Sequence, residues 1–135
     1  MKKRIAIIGS GDLGRQLGHF LSERDQVEVV GYFDDYATRG SVKHNHVIIG
    51  GINEARDLYA KDQFDSLIMG IGYKHLKVRD QIFNDLSQDI PFETYIHKSC
   101  IVDETAVIEN GAILYPGCII DQRVRVGANT LLNLG

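Results

Sequence analysis

Two hydrophobic rhythms divide this chain. Up to about residue 97, short apolar runs alternate with stretches whose apolar positions recur three and four apart. Arg4 to Ile8 is a nearly continuous apolar run, as expected for a strand buried on both faces. Leu13, Leu17, Phe20 and Leu21 then fall on one helical face. Val27 to Phe33 predicts a second strand, and the polar residues 36 to 46, with Gly40, predict a mobile surface loop. Val47 to Ile49 predicts a third strand and residues 53 to 61 a helix presenting Ala55, Leu58 and Tyr59. Ser66 to Ile71 predicts a fourth strand. A helix over 74 to 87 is expected to bury Leu76, Ile82, Phe83 and Leu86, and Phe92 to Ile96 predicts a fifth strand.

Past Ser99 the period becomes six. Val102, Ile108, Leu114, Ile120, Val126 and Leu132 are all branched aliphatics, and four residues after each of the first five stand Ala106, Ala112, Cys118, Val124 and Thr130. Hexapeptide repetition predicts a parallel β-helix, in which the small residue fits a tight corner beside the aliphatic one. Strands alternating with helices predict a parallel sheet with helices on both faces. The fold class is therefore α/β, a Rossmann-like sheet domain over residues 1–97 followed by the first β-helix coils over 98–135. Solenoids usually need about three repeats and a modified cap, and nothing after Leu132 reads as one. The expectation is an N-terminal part of a longer enzyme, or a degenerate product lacking its active site.

Composition adds exclusions. Apolar residues at 44% and charged residues at 24% of 135 suit a water-soluble protein, and a net charge of -3 gives no reason to expect nucleic acid. No stretch approaches the ~20 apolar residues of a membrane span, so no membrane partner and a cytoplasmic location are expected. Cys100 and Cys118 are 18 residues apart, three hexads, and so face inward on adjacent rungs. A rung spacing of about 4.8 Å accommodates a disulfide. Two reduced thiols filling small apolar positions are the reading a reducing cytosol favours.

Candidate chemistry gathers where strands end. Gly9-Ser10-Gly11-Asp12-Leu13-Gly14 fits G-x-G-x-x-G between a strand and a helix. Glycines there permit a tight turn and let the backbone approach phosphate at the helix N-terminus. Asp34, with Asp35, closes the second strand 20 residues past Gly14, where a carboxylate can meet a ribose hydroxyl or base edge. Asp12 adds negative charge beside the anion site. Gly70-Ile71-Gly72-Tyr73-Lys74 ends the fourth strand on the same edge, so Tyr73 is placed to stack on a base or sugar and Lys74 to meet a phosphate. The alternative for each is ordinary loop chemistry. Of the histidines, His19 reads as solvated, while His44 and His46 lack a third ligand in sequence, so no metal site is expected. No catalytic dyad or triad is visible.

These segments together resemble the sugar acyltransferases of the sialic acid O-acetyltransferase and nucleotide-aminosugar N-acetyltransferase family. The resemblance is carried by Gly9 to Gly14, Gly31-Tyr32-Phe33-Asp34-Asp35, Val47 to Gly51, Ile71-Gly72-Tyr73 with Arg79, and Tyr95 to Ser99 leading into the hexads. It implies a Rossmann-like domain that grips a nucleotide-activated sugar, a left-handed β-helix, acetyl-CoA as cosubstrate between subunits of a homotrimer, and a histidine general base. Carried over, the nucleotide contacts are Ser10, Gly11, Asp34, Asp35 and Gly72. Leu13 stands where many relatives place a histidine. The family's catalytic histidine follows the segment matching Asn129 to Gly135, so it is expected beyond Gly135.

The function implied is acetyl transfer to a nucleotide-linked aminosugar or sialic acid in surface polysaccharide synthesis, with this chain expected to lack the catalytic coils. The alternative is a non-catalytic nucleotide-binding or regulatory module. An NAD-dependent oxidoreductase is a third reading, resting on the glycine turn and Asp34 alone.

Overall fold

The structure is a computed structural model describing residues 1–133. It comprises two compact units, Met1–Pro91 and the chain from Phe92 onward. Leu134 and Gly135, within the expected β-helix, lie outside the described residues.

The first unit runs β1 (Lys3–Ile8), α1 (Asp12–Ser22), β2 (Val27–Phe33), β3 (Val42–Lys43), β4 (His46–Gly50), α2 (Ala55–Ala60), β5 (Ser66–Met69) and α3 (Leu76–Leu86). The sheet order is β3-β4-β2-β1-β5. β1 is parallel to β2 and β5, and β2 to β4, whereas β3 pairs antiparallel with β4. From β1 the chain builds outward through β2 and β4, then returns to β1's other side with β5. The strand order therefore reverses between β1 and β5, which is where open parallel sheets leave a crevice at their carboxyl edge.

Both sheet faces are covered, which is why Ile5 to Ile8 are all fully buried. Neighbouring residues of a strand point to opposite faces. Tyr32 lies beside Gly18 of α1, while the next residue, Phe33, packs edge-on against Phe64 at 5.6 Å, and Phe64 against Tyr59 of α2. α1 buries Leu13, Leu17 and Leu21 together with Gly14 and Gly18, and the missing side chains let the helix sit close to the sheet. β2 steps past Val30, so that Ile5 pairs with Val29 but Ala6 with Gly31. Gly31 takes φ +145 there, and a β-carbon on it would stand 2.4 Å from the Val47 carbonyl oxygen.

Three expectations are corrected. Residues 36 to 46 hold β3 and a two-residue turn to β4, with His44 at φ 50 and Asn45 at φ 69. Positive φ at both central positions is the hairpin geometry that glycine usually marks, and no glycine is present to signal it. Leu76 is 58% exposed, because a short 3-10 turn over Tyr73–His75 precedes α3 and the inward stripe is Arg79, Phe83 and Leu86. The strand expected over 92 to 96 is only Tyr95–Ile96, and it pairs with Ile113–Leu114 rather than joining the first sheet. Ile96 lies one hexad before Val102, so it belongs to the second rhythm.

The second unit contains β6 (Tyr95–Ile96), β7 (Ile101–Val102), β8 (Val107–Ile108), β9 (Ile113–Leu114), β10 (Ile119–Ile120), β11 (Arg125–Val126) and β12 (Leu131–Leu132). They stack as three narrow parallel sheets, β10-β7, β11-β8 and β12-β9-β6. Partners such as Ile101 and Ile119, Val107 and Arg125, or Ile113 and Leu131 are 18 residues apart, so three hexads make one coil of a parallel β-helix. Its core is Ala112, Leu114, Cys118, Ile120 and Val126, flanked by Ile96, Cys100, Val102, Ala106, Ile108 and Leu132. Val124 departs from the expected small inward set and is 40% exposed. It lies on the last described coil, on which no further strand stacks among the described residues.

Candidate functional site

Every segment singled out at the strand ends converges on the carboxyl edge of the first sheet, and backbone bonds lock them together. The Gly9 N–H donates to the Phe33 carbonyl at 2.8 Å, Asp34 N–H to Gly50 at 2.9 Å, and Gly70 N–H to Ile8 at 2.7 Å. At the switch point the two glycine turns touch. A β-carbon on Gly70 would lie 2.6 Å from the Ile8 oxygen and 3.0 Å from that of Gly9, while one on Gly9 would meet the Gly70 oxygen at 3.1 Å. Gly9 has φ +90, so its turn is one that L side chains rarely adopt.

Gly11 occupies the N-cap position of α1 and no side chain caps the helix. The first-turn N–H groups therefore face the crevice with the partial positive charge of the helix end. Gly11 and Gly72 are also open: nothing lies within 4 Å of a β-carbon built on either. Gly14 is the opposite, since its β-carbon would fall 2.1 Å from the Gly9 carbonyl oxygen. Of the motif's side chains, Asp12 is exposed in the first turn, whereas Leu13 points into the core at 9% exposure.

Ser10 and Asp34 form the polar centre. Ser10 is fully buried. Its N–H and hydroxyl both donate to Asp34 Oδ2, at 3.0 and 2.5 Å, and Asp34 Oδ1 accepts from the Tyr36 N–H at 2.8 Å. Burial works against ionisation of Asp34, but these donors and the positive charge of Lys43 outweigh it and hold the carboxyl below its ordinary value. Asp34 thus braces the glycine turn with both oxygens already engaged. Asp35 is exposed, and its Oδ1 accepts from the Ile52 N–H at 2.8 Å. It borders a cleft of about 340 Å³ lined also by Ile52, Asn53, Arg56, Ile82 and Asp85.

The sequence reading missed Lys43. The β3–β4 hairpin carries its Nζ to 3.5 Å from Ser10 Oγ, across 33 residues of chain. Tyr73, 61% exposed, and Lys74, also exposed, stand in the 3-10 turn after Gly72. His44 and His46 pack edge-on around Tyr32, at ring separations of 6.4 and 6.0 Å. Among the described residues no three His, Cys, Asp or Glu side chains gather as metal ligands, and no helix is long and apolar enough to cross a membrane.

Comparison with known proteins places this architecture. The sequence profile of the PglD N-terminal domain matches residues 4–86, more than half of the chain and all of the glycine-turn sheet but Lys3. The chain belongs to the PglD N-terminal domain family. That membership and the fold neighbours bear out the resemblance to nucleotide-aminosugar acetyltransferases. A perosamine N-acetyltransferase variant from Caulobacter crescentus, solved with CoA and GDP-perosamine, matches over 96% of this chain and 59% of its own at 19% identity, with TM-score 0.81. The acetyltransferase domain of PglB from Neisseria gonorrhoeae, solved with acetyl coenzyme A, matches over 99% of this chain and 66% of its own at 20% identity, with TM-score 0.69. PerB from Caulobacter crescentus, solved with CoA and GDP-perosamine, matches over 97% of this chain and 60% of its own at 20% identity, with TM-score 0.79. The chain therefore spans about three fifths to two thirds of the solved structures it matches. No curated protein matches it. The fold shared with these structures is a Rossmann-like sheet unit followed by coils of a parallel β-helix.

Proposed function

We propose that this chain is the nucleotide-sugar-binding and scaffold-forming part of an acetyl-CoA-dependent acetyltransferase, acting on a nucleotide-linked aminosugar or sialic acid. The observation that carries the reading is the pair of open glycines, Gly11 and Gly72, in the two turns that meet through Gly9 and Gly70 at the switch point, in a family member whose chain continues into β-helix coils. An apolar enzyme core needs no such arrangement of bare glycines at one edge. A nucleoside diphosphate does, because its phosphates must approach backbone N–H groups closely.

In this reading the diphosphate lies over Gly11 and the first turn of α1, with Lys43 supplying the positive charge that Asp12 and Asp34 would otherwise oppose. Asp35 faces the ribose or base. Asp34, bonded to Ser10 and Tyr36, holds the turn beneath the ligand and uses only a remaining lone pair toward it. Gly72 offers its N–H, and Tyr73 and Lys74 flank the ligand from the other turn. The coils form the wall along which acetyl-CoA binds as cosubstrate, between copies in a homotrimer. A general base takes a proton from the sugar amine or hydroxyl as it attacks the thioester carbonyl, and the C–S bond then breaks to release CoA, whose thiolate takes up that proton.

A panel of UDP-, GDP- and TDP-sugars in a thermal-shift assay tests the binding step. A ligand at 100 times its dissociation constant adds about 2.7 kcal/mol, a shift of several degrees. Turnover is read as free CoA thiol released from acetyl-CoA. Stabilisation with turnover is the expected result for the intact enzyme. Stabilisation without turnover would leave a binding module, and tighter binding of NAD than of any nucleotide sugar would overturn the reading.

A further inference from the structure

Arg79 is the largest of the fully buried side chains, at 1% exposure. It occupies the inward stripe of α3 beside Phe83 and Leu86, where packing alone calls for an aliphatic residue. Burial lowers the guanidinium pKa to about 10, so at neutral pH the cation is retained inside the unit against its desolvation. Replacing such a group by a well-packed apolar one is often neutral or stabilising, which makes stability alone a poor reason for its presence.

What it holds is specific. Arg79 Nη1 donates to the Ile71 carbonyl oxygen at 2.5 Å. That carbonyl belongs to the peptide joining Ile71 to Gly72. A trans peptide is planar, with its C=O and N–H pointing in opposite directions. Fixing the Ile71 oxygen therefore fixes the Gly72 N–H on the opposite side of the same plane. Gly72 is the open glycine of this turn, and its own carbonyl is tied into the 3-10 turn by the His75 N–H at 3.2 Å. On the other side of Ile71, Gly70 is wedged against the Ile8 and Gly9 carbonyls.

We propose that Arg79 is a positioning residue that aims the Gly72 N–H at an acceptor oxygen of the bound nucleoside diphosphate by gripping the other side of the same peptide. The inference rests on the nucleotide-binding reading above. It assigns to α3 control over one donor in the site.

Calorimetric titration of the protein with UDP, GDP and TDP, for wild type, Arg79→Met and Arg79→Lys, tests it together with urea unfolding of each. Arg79→Met is expected to raise Kd at least tenfold with binding stoichiometry unchanged, and Arg79→Lys, which keeps the cation without the guanidinium's reach, to raise it about threefold. In ¹⁵N-labelled wild type the Gly72 amide resonance is expected to move on adding nucleotide, and to move less in Arg79→Lys. A residue that merely supports the fold would instead lower the unfolding midpoint and the number of competent sites while the remaining sites kept the wild-type Kd; that result overturns the proposal. Should Arg79→Met not fold, Arg79→Lys decides alone, and a wild-type Kd and Gly72 shift in that variant sink the role. Failure of wild type to bind any of the three nucleotides would bring down the site reading itself, an outcome visible before any variant is made.

Discussion

At the scale of single residues, the glycines of the first turn divide into two kinds. Gly14 is bare because α1 presses on the Gly9 carbonyl, whereas Gly11 is bare with open space around it. Gly14→Ala is expected to destabilise the protein by about 3 kcal/mol, since the new methyl would stand 2.1 Å from the Gly9 carbonyl oxygen, which is backbone and cannot turn aside. Gly11→Ala should leave stability within about 1 kcal/mol and weaken nucleotide binding about tenfold. Urea unfolding beside calorimetry checks both, and equal effects on stability would count against an open ligand site. Asp34 makes a second test. Asp34→Asn is expected to cost about 2 kcal/mol at pH 7, the scale of hydrogen bonds to a charged acceptor. Because the folded-state pKa is held below the ordinary 3.8, this stabilisation is complete above that value. It disappears as pH falls through the lower folded value, so unfolding curves of wild type and variant should converge in acid. A gap that persists unchanged at the lowest pH would contradict it. The glycines and Asp34 were legible in the sequence because their spacing follows from one strand-turn-helix unit. Lys43 was not, since its approach to Ser10 depends on a hairpin whose turn is made by His44 and Asn45 rather than by a glycine.

At the scale of elements, the β-helix shows a second hexad that the apolar pattern does not reveal. Gly111, Gly117, Arg123 and Asn129 have φ of 79, 81, 61 and 58, six residues apart, so each marks a corner in the left-handed region. Arg123 is there at a cost that glycine escapes. Arg123→Gly is expected to stabilise the protein by about 0.5 kcal/mol after the entropic cost of glycine is subtracted. Side chains also tie coil to coil: Thr105 Oγ1 accepts from the Arg123 N–H at 2.8 Å, and Ser99 Oγ from the Gly117 N–H at 2.9 Å, each across 18 residues. Thr105→Val should lose about 1 kcal/mol by removing one such acceptor. Thermal unfolding of the two variants should therefore move in opposite directions. In the first unit, element existence followed from periodicity, while the exposure of Leu76 did not, because a 3-10 turn shifts the phase of α3 ahead of its inward stripe.

At the scale of the whole molecule, the β-helix presents apolar side chains outward. Ile101 and Ile119 pair in register on adjacent coils and are 65% and 72% exposed, giving a short aliphatic ladder on one face. The homotrimer of the proposed function would cover this ladder. Ile119→Lys is then expected to convert a trimer to monomer in sedimentation equilibrium without loss of the parallel-sheet circular dichroism. A wild-type protein that sediments as a monomer at micromolar concentration would remove this part of the proposal.

The sequence by itself determined the two architectures, because strand-helix alternation and a six-residue aliphatic period are consequences of local geometry repeated along the chain. It also determined which segments end at the carboxyl edge of the sheet, since a glycine turn and a strand-ending carboxylate are local features. Only the tertiary structure decided how those segments engage one another. The reversal of strand order beside β1 sets Gly70 against Gly9, the hairpin swings Lys43 over Ser10, and burial turns Arg79 inward to the Ile71 carbonyl. The first two join residues distant in sequence and the third depends on which face of α3 is buried, so all three are governed by how faces pack rather than by any spacing along the chain.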